Sequence, residues 1–141
     1  MQEGELLGTV YNDGDVILEE GARSREMYIV QSGKVEIIKK VGDKEAVLTT
    51  LDEGGIFGAI SMIDAKPRTA TVRAVGETRV LGVDQLEFLR MAKADPALTQ
   101  RILISMGNRI REQNDKLCMT LDRLGTIMEE LAELREFFHI R

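Results

Sequence analysis

Over the first 83 positions, apolar and polar residues follow a short period. Six runs carry β-branched residues: Asp15-Val16-Ile17-Leu18, Met27-Tyr28-Ile29-Val30, Val35-Glu36-Ile37-Ile38, Ala46-Val47-Leu48-Thr49, Thr69-Ala70-Thr71-Val72 and Arg79-Val80-Leu81-Gly82-Val83. Between them stand Asn12-Asp13-Gly14, Gly21, Ser32-Gly33, Val41-Gly42-Asp43 and Glu53-Gly54-Gly55, the residue types that tolerate the backbone of tight turns. Strands recurring roughly every 8–12 residues with turn signals between them predict an all-β sandwich or barrel.

After Val83 the period lengthens to that of a helix. Asp84 with Glu87 three positions on has the form of a capping box, which predicts a helix to about Ala94. Asp95-Pro96 predicts a second start, aspartate at the N-cap and proline in the first turn. From there Leu103, Ile110, Leu117, Leu124, Leu131 and Phe138 recur every seventh residue, with Asn114, Leu121, Met128 and Arg135 interleaved. The first two turns of such a helix would pack on the β core. Beyond about Ile110 the seam suits pairing with a second copy of the chain. Gly125 followed by Thr126-Ile127-Met128-Glu129 admits two forms, one continuous helix or a break and restart at Leu124-Gly125. The expected organisation is a β domain with its flanking helices over 8–116 and a helical dimerisation extension over 117–141.

Charge narrows the choice of partners. The chain of 141 residues has 19 basic and 24 acidic residues, net −5, with the acidic excess confined to residues 1–100. That balance argues against a surface that blankets nucleic acid or anionic membrane. No apolar run approaches the length of a membrane span, and Met1-Gln2-Glu3-Gly4-Glu5 has the wrong sign for a signal peptide. With one cysteine, Cys118, no intrachain disulfide can form. A soluble cytoplasmic protein is expected.

Catalytic apparatus is not evident. His139 is the one histidine and lies near the chain end, so neither a His-based triad nor a His metal cluster can be built on it. Cys118 falls in the helical pattern, where packing is the simpler role than nucleophilic attack. Glu19-Glu20 and Glu129-Glu130 fall on a turn and an exposed helix and suit solvated carboxylates. No required metal or cofactor is expected.

The stretch from Gly54 to Thr71 carries the chemistry. Phe57-Gly58 ends a strand, and Gly58 lets the backbone approach a ligand closely. Ala59 to Ile63 forms a helical turn whose opening N–H groups attract an anion. Pro67 stiffens the approach to Arg68, which opens the next strand with a fork of donors matched to two phosphate oxygens. Glycine, helix start and arginine together suit a small phosphate ester, while a plain turn and a surface arginine would use the same residues. The glycine pattern is neither a P-loop nor a dinucleotide fingerprint.

Across about residues 10–116 the chain resembles the cyclic nucleotide-binding domain of the catabolite-activator and kinase-regulatory-subunit superfamily. The resemblance rests on Gly14-Asp15-Val16-Ile17 with Glu20-Gly21, Met27-Tyr28-Ile29-Val30 with Gly33-Lys34-Val35, Phe57-Gly58, and Pro67-Arg68-Thr69-Ala70-Thr71-Val72, in that order and spacing. It implies an eight-stranded jelly-roll-like (cupin-like) β-roll flanked by helices, with a long C-terminal dimerisation helix. It also implies a cyclic nucleotide, cAMP or cGMP, as regulatory ligand. By resemblance the phosphate-binding cassette is Phe57 through Thr71, with Phe57, Gly58, Ala59, Ile60, Ser61, Arg68 and Thr69 at the ligand and Arg68 on the phosphate. The family carries glutamate directly after Phe-Gly, where it accepts a hydrogen bond from the ribose 2′-hydroxyl. This chain has Ala59, which removes the main reader of the sugar. Gln113 and Asn114 stand where polar residues of the long helix reach the base, and Asn114 equally suits a register-fixing position in a helical seam. Many relatives continue into a helix-turn-helix, for which the 25 or so residues after the core helix are too few, so no DNA binding by this chain alone is expected.

Overall fold

The computed structural model describes residues 7–138. Six strands form one antiparallel sheet: β1 (Thr9–Tyr11), β2 (Val16–Leu18), β3 (Met27–Val41), β4 (Lys44–Leu51), β5 (Ile56–Phe57) and β6 (Thr71–Val83). Three helices join them: α1 (Ala59–Asp64), α2 (Gln85–Ala94) and α3 (Pro96–Phe137). The order β1-β6-β3-β4, with β2 also on β6 and β5 also on β3, is that of a β-roll with a long C-terminal helix. The described chain divides into two compact units, one through Ser105 and the other from Met106.

One expected turn is not a turn, and two pairs of runs expected as separate strands are each one strand. Ser32-Gly33 does not separate Met27–Val30 from Val35–Ile38, and Thr69–Val72 and Arg79–Val83 are not separate strands. β3 and β6 run through as strands of 15 and 13 residues. Their pairing slips between Val30 and Ser32 and again between Ser32 and Lys34, so each strand bends without reversing. Each half then serves a different neighbour. The first half of β3 pairs β5 and its second half pairs β4, while β6 pairs β2 and then β1. Counting these halves separately gives the eight runs of the expected β-roll.

Gly33 is what makes the first bend possible. Its φ is +85°, and an added Cβ would lie 2.5 Å from the Glu77 carbonyl oxygen and 2.7 Å from Thr78 Oγ1. Thr78, fully buried, accepts from the Lys34 amide and donates to the Lys34 carbonyl, pinning the strands across the bend. Gly33→Ala combines a left-handed L-residue with a backbone clash and is expected to cost about 2–5 kcal/mol. Urea denaturation of the variant measures it.

The core gathers where alternate side chains of these strands turn inward: Leu18, Val30, Val35, Ile37, Phe57, Val72 and Val80. Ile37 and Ile38 are both buried because the β3–β4 register shifts between them. The helix starts follow their caps. Asp84 accepts from the Glu87 amide at 2.8 Å, although Glu87 turns its own carboxylate to Arg90. Asp95 ends α2 through its N–H to the Met91 carbonyl and caps α3 by accepting from the Ala97 amide. In α3, Leu98 and Ile102 are buried, in keeping with the expectation that its first turns pack. The helix continues through Gly125 without a break. Thr126 Oγ1, which a restart would use as a cap, donates instead to the Asp122 carbonyl one turn back.

Candidate functional site

β5 delivers Phe57 into the core, where it stacks on Tyr28 with ring centroids 5.2 Å apart. The next residue, Gly58, has a φ of +78° and turns the chain sharply into α1. A Cβ there would meet the Arg68 guanidinium at 2.8 Å and the Glu26 carbonyl oxygen at 3.0 Å. Glycine is therefore required both by the turn and by the closeness of the arginine. Helix α1 has no side-chain N-cap, which leaves its first amide groups without an intrahelical or capping acceptor. Ala59, Ser61 and Met62 of α1 are buried, whereas Ile60 is 58% exposed.

Arg68 comes back to the same place ten residues later. It lies between α1 and β6, since β6 begins at Thr71, so the expectation that Arg68 opens the strand is corrected. Its backbone is fixed to the β2–β3 loop instead. Gly21 N–H donates to the Arg68 carbonyl, and Arg68 N–H donates to the Ala22 carbonyl. The side chain is 4% exposed. Its Nε donates to Ser24 Oγ at 3.1 Å, Nη1 to the Gly58 carbonyl at 2.9 Å and Nη2 to the Glu26 carbonyl. The guanidinium carbon also stands 5.9 Å from the centre of the Tyr28 ring.

All these acceptors are neutral. Among the described residues no carboxylate forms an ion pair with Arg68. Burial therefore pushes its pKa down, opposed by Tyr28 and Glu26, and burial together with Glu26 raises that of the Tyr28 hydroxyl. The site is a buried positive charge facing a glycine turn and a helix start, with two guanidinium N–H groups beyond the three bonds. Such an arrangement can hold a small anion.

Thr69, the next cassette residue, is exposed, and its carbonyl accepts from Lys39 Nζ at 2.7 Å. Lys39 also pairs with Glu20 at 3.3 Å, while Glu20 N–H donates to Thr71 Oγ1. The Lys40 amide and the Lys39 ammonium together hold the Glu20 carboxyl below its usual range. Gly58 and Arg68 are thus brought together beside the stack of Phe57 on Tyr28, Ala59 and Ser61 are buried in the adjoining α1, and Ile60 and Thr69 are exposed. Gln113 and Asn114 lie on α3 in the second unit and are exposed. His139 lies outside the described residues, as do Met1 to Glu5. Sequence reasoning missed Ser24, Glu26 and Tyr28, which hold Arg68. The visible signal was only the Met27-Tyr28-Ile29-Val30 run, whose interior Tyr28 has no reason to be near Arg68 until the chain folds.

Among the described residues no helix is long and apolar enough to cross a membrane, and no cluster of His, Cys, Asp or Glu could hold a metal ion.

Residues 9–95 match the family model described as "Cyclic nucleotide-binding domain". A CRP-like cAMP-activated global transcriptional regulator of Mycobacterium tuberculosis is 30% identical over 129 residues, covering 89% of this chain and 57% of that protein. A cyclic nucleotide-gated channel of Caenorhabditis elegans is 30% identical over 130 residues, 88% of this chain and 17% of the channel. The crystal structure of the catabolite activator protein of Thermus thermophilus superposes with a TM-score of 0.68 at 27% identity, covering 79% of this chain and 53% of that one. The chain thus spans little more than half of these regulators and a small part of the channel.

Proposed function

The chain belongs to the cyclic nucleotide-binding domain family, and on that footing we propose that it is a ligand-sensing regulatory module. In this reading a 3′,5′-cyclic nucleotide, cAMP or cGMP, sets its phosphate against Arg68 and the opening amides of α1, within the cassette Phe57–Thr71. The observation that carries it is the buried Arg68 with neutral partners only. A buried charge without an ion-pair partner is costly, and a phosphate supplies both that partner and acceptors for the remaining N–H groups. That the mycobacterial relative is named cAMP-activated supports the choice of ligand.

The output is a coupling free energy between ligand and helix rather than a chemical step. Ligand contacts favour one placement of α3, whose exposed seam from Ile110 to Phe138 pairs two copies of the chain. Asn114 then serves at a seam position, where a lone asparagine fixes register.

A second reading, a dimerisation module that keeps the fold without a ligand, is favoured by Ala59 alone. Calorimetry with cAMP, cGMP and cyclic dinucleotides separates the two. Saturable heat at one site per chain for a mononucleotide supports the sensor. Flat isotherms to about 1 mM, where binding would be worth only about 4 kcal/mol, with pairing intact, support the second reading.

A further inference from the structure

The cassette is half of the wall around Arg68. The other half is the β2–β3 loop, residues 19–26, laced to the Arg68 segment at both backbone and side chain. Gly21 and Ala22 exchange main-chain hydrogen bonds with Arg68, and Glu20 N–H reaches Thr71 Oγ1. Two further bonds hold the guanidinium itself, to the Glu26 carbonyl and to Ser24 Oγ. Of the guanidinium's three acceptors, the Ser24 hydroxyl is the one supplied by a side chain. It spans 44 positions of sequence to reach Nε.

A hydroxyl that accepts from an arginine keeps its own proton to donate. Among the described residues no acceptor takes that proton. We propose that Ser24 is a second phosphate residue of the site, fixing the Nε edge of Arg68 and donating its O–H to an oxygen of the bound phosphate. This rests on the reading of the site as a cyclic nucleotide pocket. It extends that pocket beyond Phe57–Thr71, to a loop that neither the cassette nor the glycine turn includes. Ser24 itself is exposed, so removing its hydroxyl opens no hole in the core, and an effect on binding is separable from one on folding.

The test uses Ser24→Ala and Ser24→Thr with two measurements. Calorimetry with cAMP and cGMP reads the contribution to the ligand. The ¹⁵Nε–H resonance of Arg68 in the ligand-free protein reads the hold on the guanidinium. Ser24→Ala is expected to weaken binding about tenfold, the size of one hydrogen bond to a charged group. It should also shift the Arg68 resonance and speed its exchange with water, while leaving the urea midpoint in place. Ser24→Thr, which keeps the hydroxyl, should restore both. Unchanged affinity in Ser24→Ala, or an Arg68 resonance that does not move, overturns the proposal. If the parent binds neither nucleotide, the cyclic nucleotide reading fails and the phosphate role fails with it, while the resonance still decides whether Ser24 positions Arg68.

Discussion

Replacing Ala59 by glutamate is expected to raise affinity for a ribose 3′,5′-cyclic nucleotide about ten- to a hundredfold, the effect of one charged hydrogen bond of roughly 1.5–3 kcal/mol. Ala59 is the first residue of α1, 7% exposed, and directly follows the glycine that brings the backbone against Arg68. A carboxylate at that position supplies the acceptor that the resemblance places on the ribose 2′-hydroxyl. It also stands at a helix start, where negative charge is favoured. The 2′-deoxy analogue has no hydroxyl to offer and should gain almost nothing. Arg68→Ala should abolish binding with either residue at 59, because the phosphate loses its buried counter-charge. That substitution also strips donors from Gly58, Glu26 and Ser24, so Arg68→Lys is needed beside it. Lysine keeps the charge but cannot reproduce a three-way planar fork, so it should fold and bind weakly. Titrating these variants with ribo and deoxy ligands decides the matter. Equal gains for the two sugars would show that glutamate does not read the 2′-oxygen. Binding that survives Arg68→Ala would remove Arg68 from the site.

What was legible in the sequence is what is local. Phe57-Gly58, the short helix and Arg68 lie within a dozen positions, and turn chemistry alone places them in order. Asp84 and Asp95 announced their helices because a cap needs only the amides two or three residues ahead. The β character and the β-roll were likewise within reach of pattern and resemblance. The bends in β3 and β6 were not. A glycine flanked by polar residues serves a reversal or a bulge equally well, and only the partner strand decides, here through the shifted register around Gly33. β1 was also missed, being three residues long and held by β6 rather than by any alternation of its own. The same limit explains the site. Ser24, Glu26 and Tyr28 lie 40 or more positions before Arg68, and nothing in their local sequence distinguishes them from loop and strand residues. They matter because the β2–β3 loop folds back onto the cassette. Gly125 was ambiguous for a different reason. Thr126 can cap or back-bond, and it takes the back-bond.

The chain is expected to be a dimer at micromolar concentration, and Leu117→Glu combined with Leu124→Glu is expected to make it a monomer. Ile110, Leu117, Leu121, Leu124, Met128 and Leu131 are each half or more exposed in the single chain, an apolar stripe on α3 with Asn114 set within it. Water is a poor neighbour for a stripe of that length. Its spacing, leucine every seventh residue with a second apolar position between, is that of a two-stranded parallel seam. A micromolar dimer is held by about 8 kcal/mol. Each buried leucine contributes about 1.5–3 kcal/mol, and the double variant removes four per dimer, so the loss of roughly 6–12 kcal/mol is comparable to the whole. Like charges facing each other across the seam act in the same direction. The β-roll should survive, because none of its core residues lies beyond Ile102. Sedimentation equilibrium of the parent and the variant, with far-ultraviolet circular dichroism for the fold, reads both outcomes. Asn114→Leu is the complementary change. If Asn114 fixes register, the dimer should tighten while losing its single two-stranded state, and higher oligomers should appear. A parent chain that stays monomeric at about 100 μM, where binding of about 5 kcal/mol would already show, refutes the seam. The exposed stripe would then have to be covered by something other than a second copy.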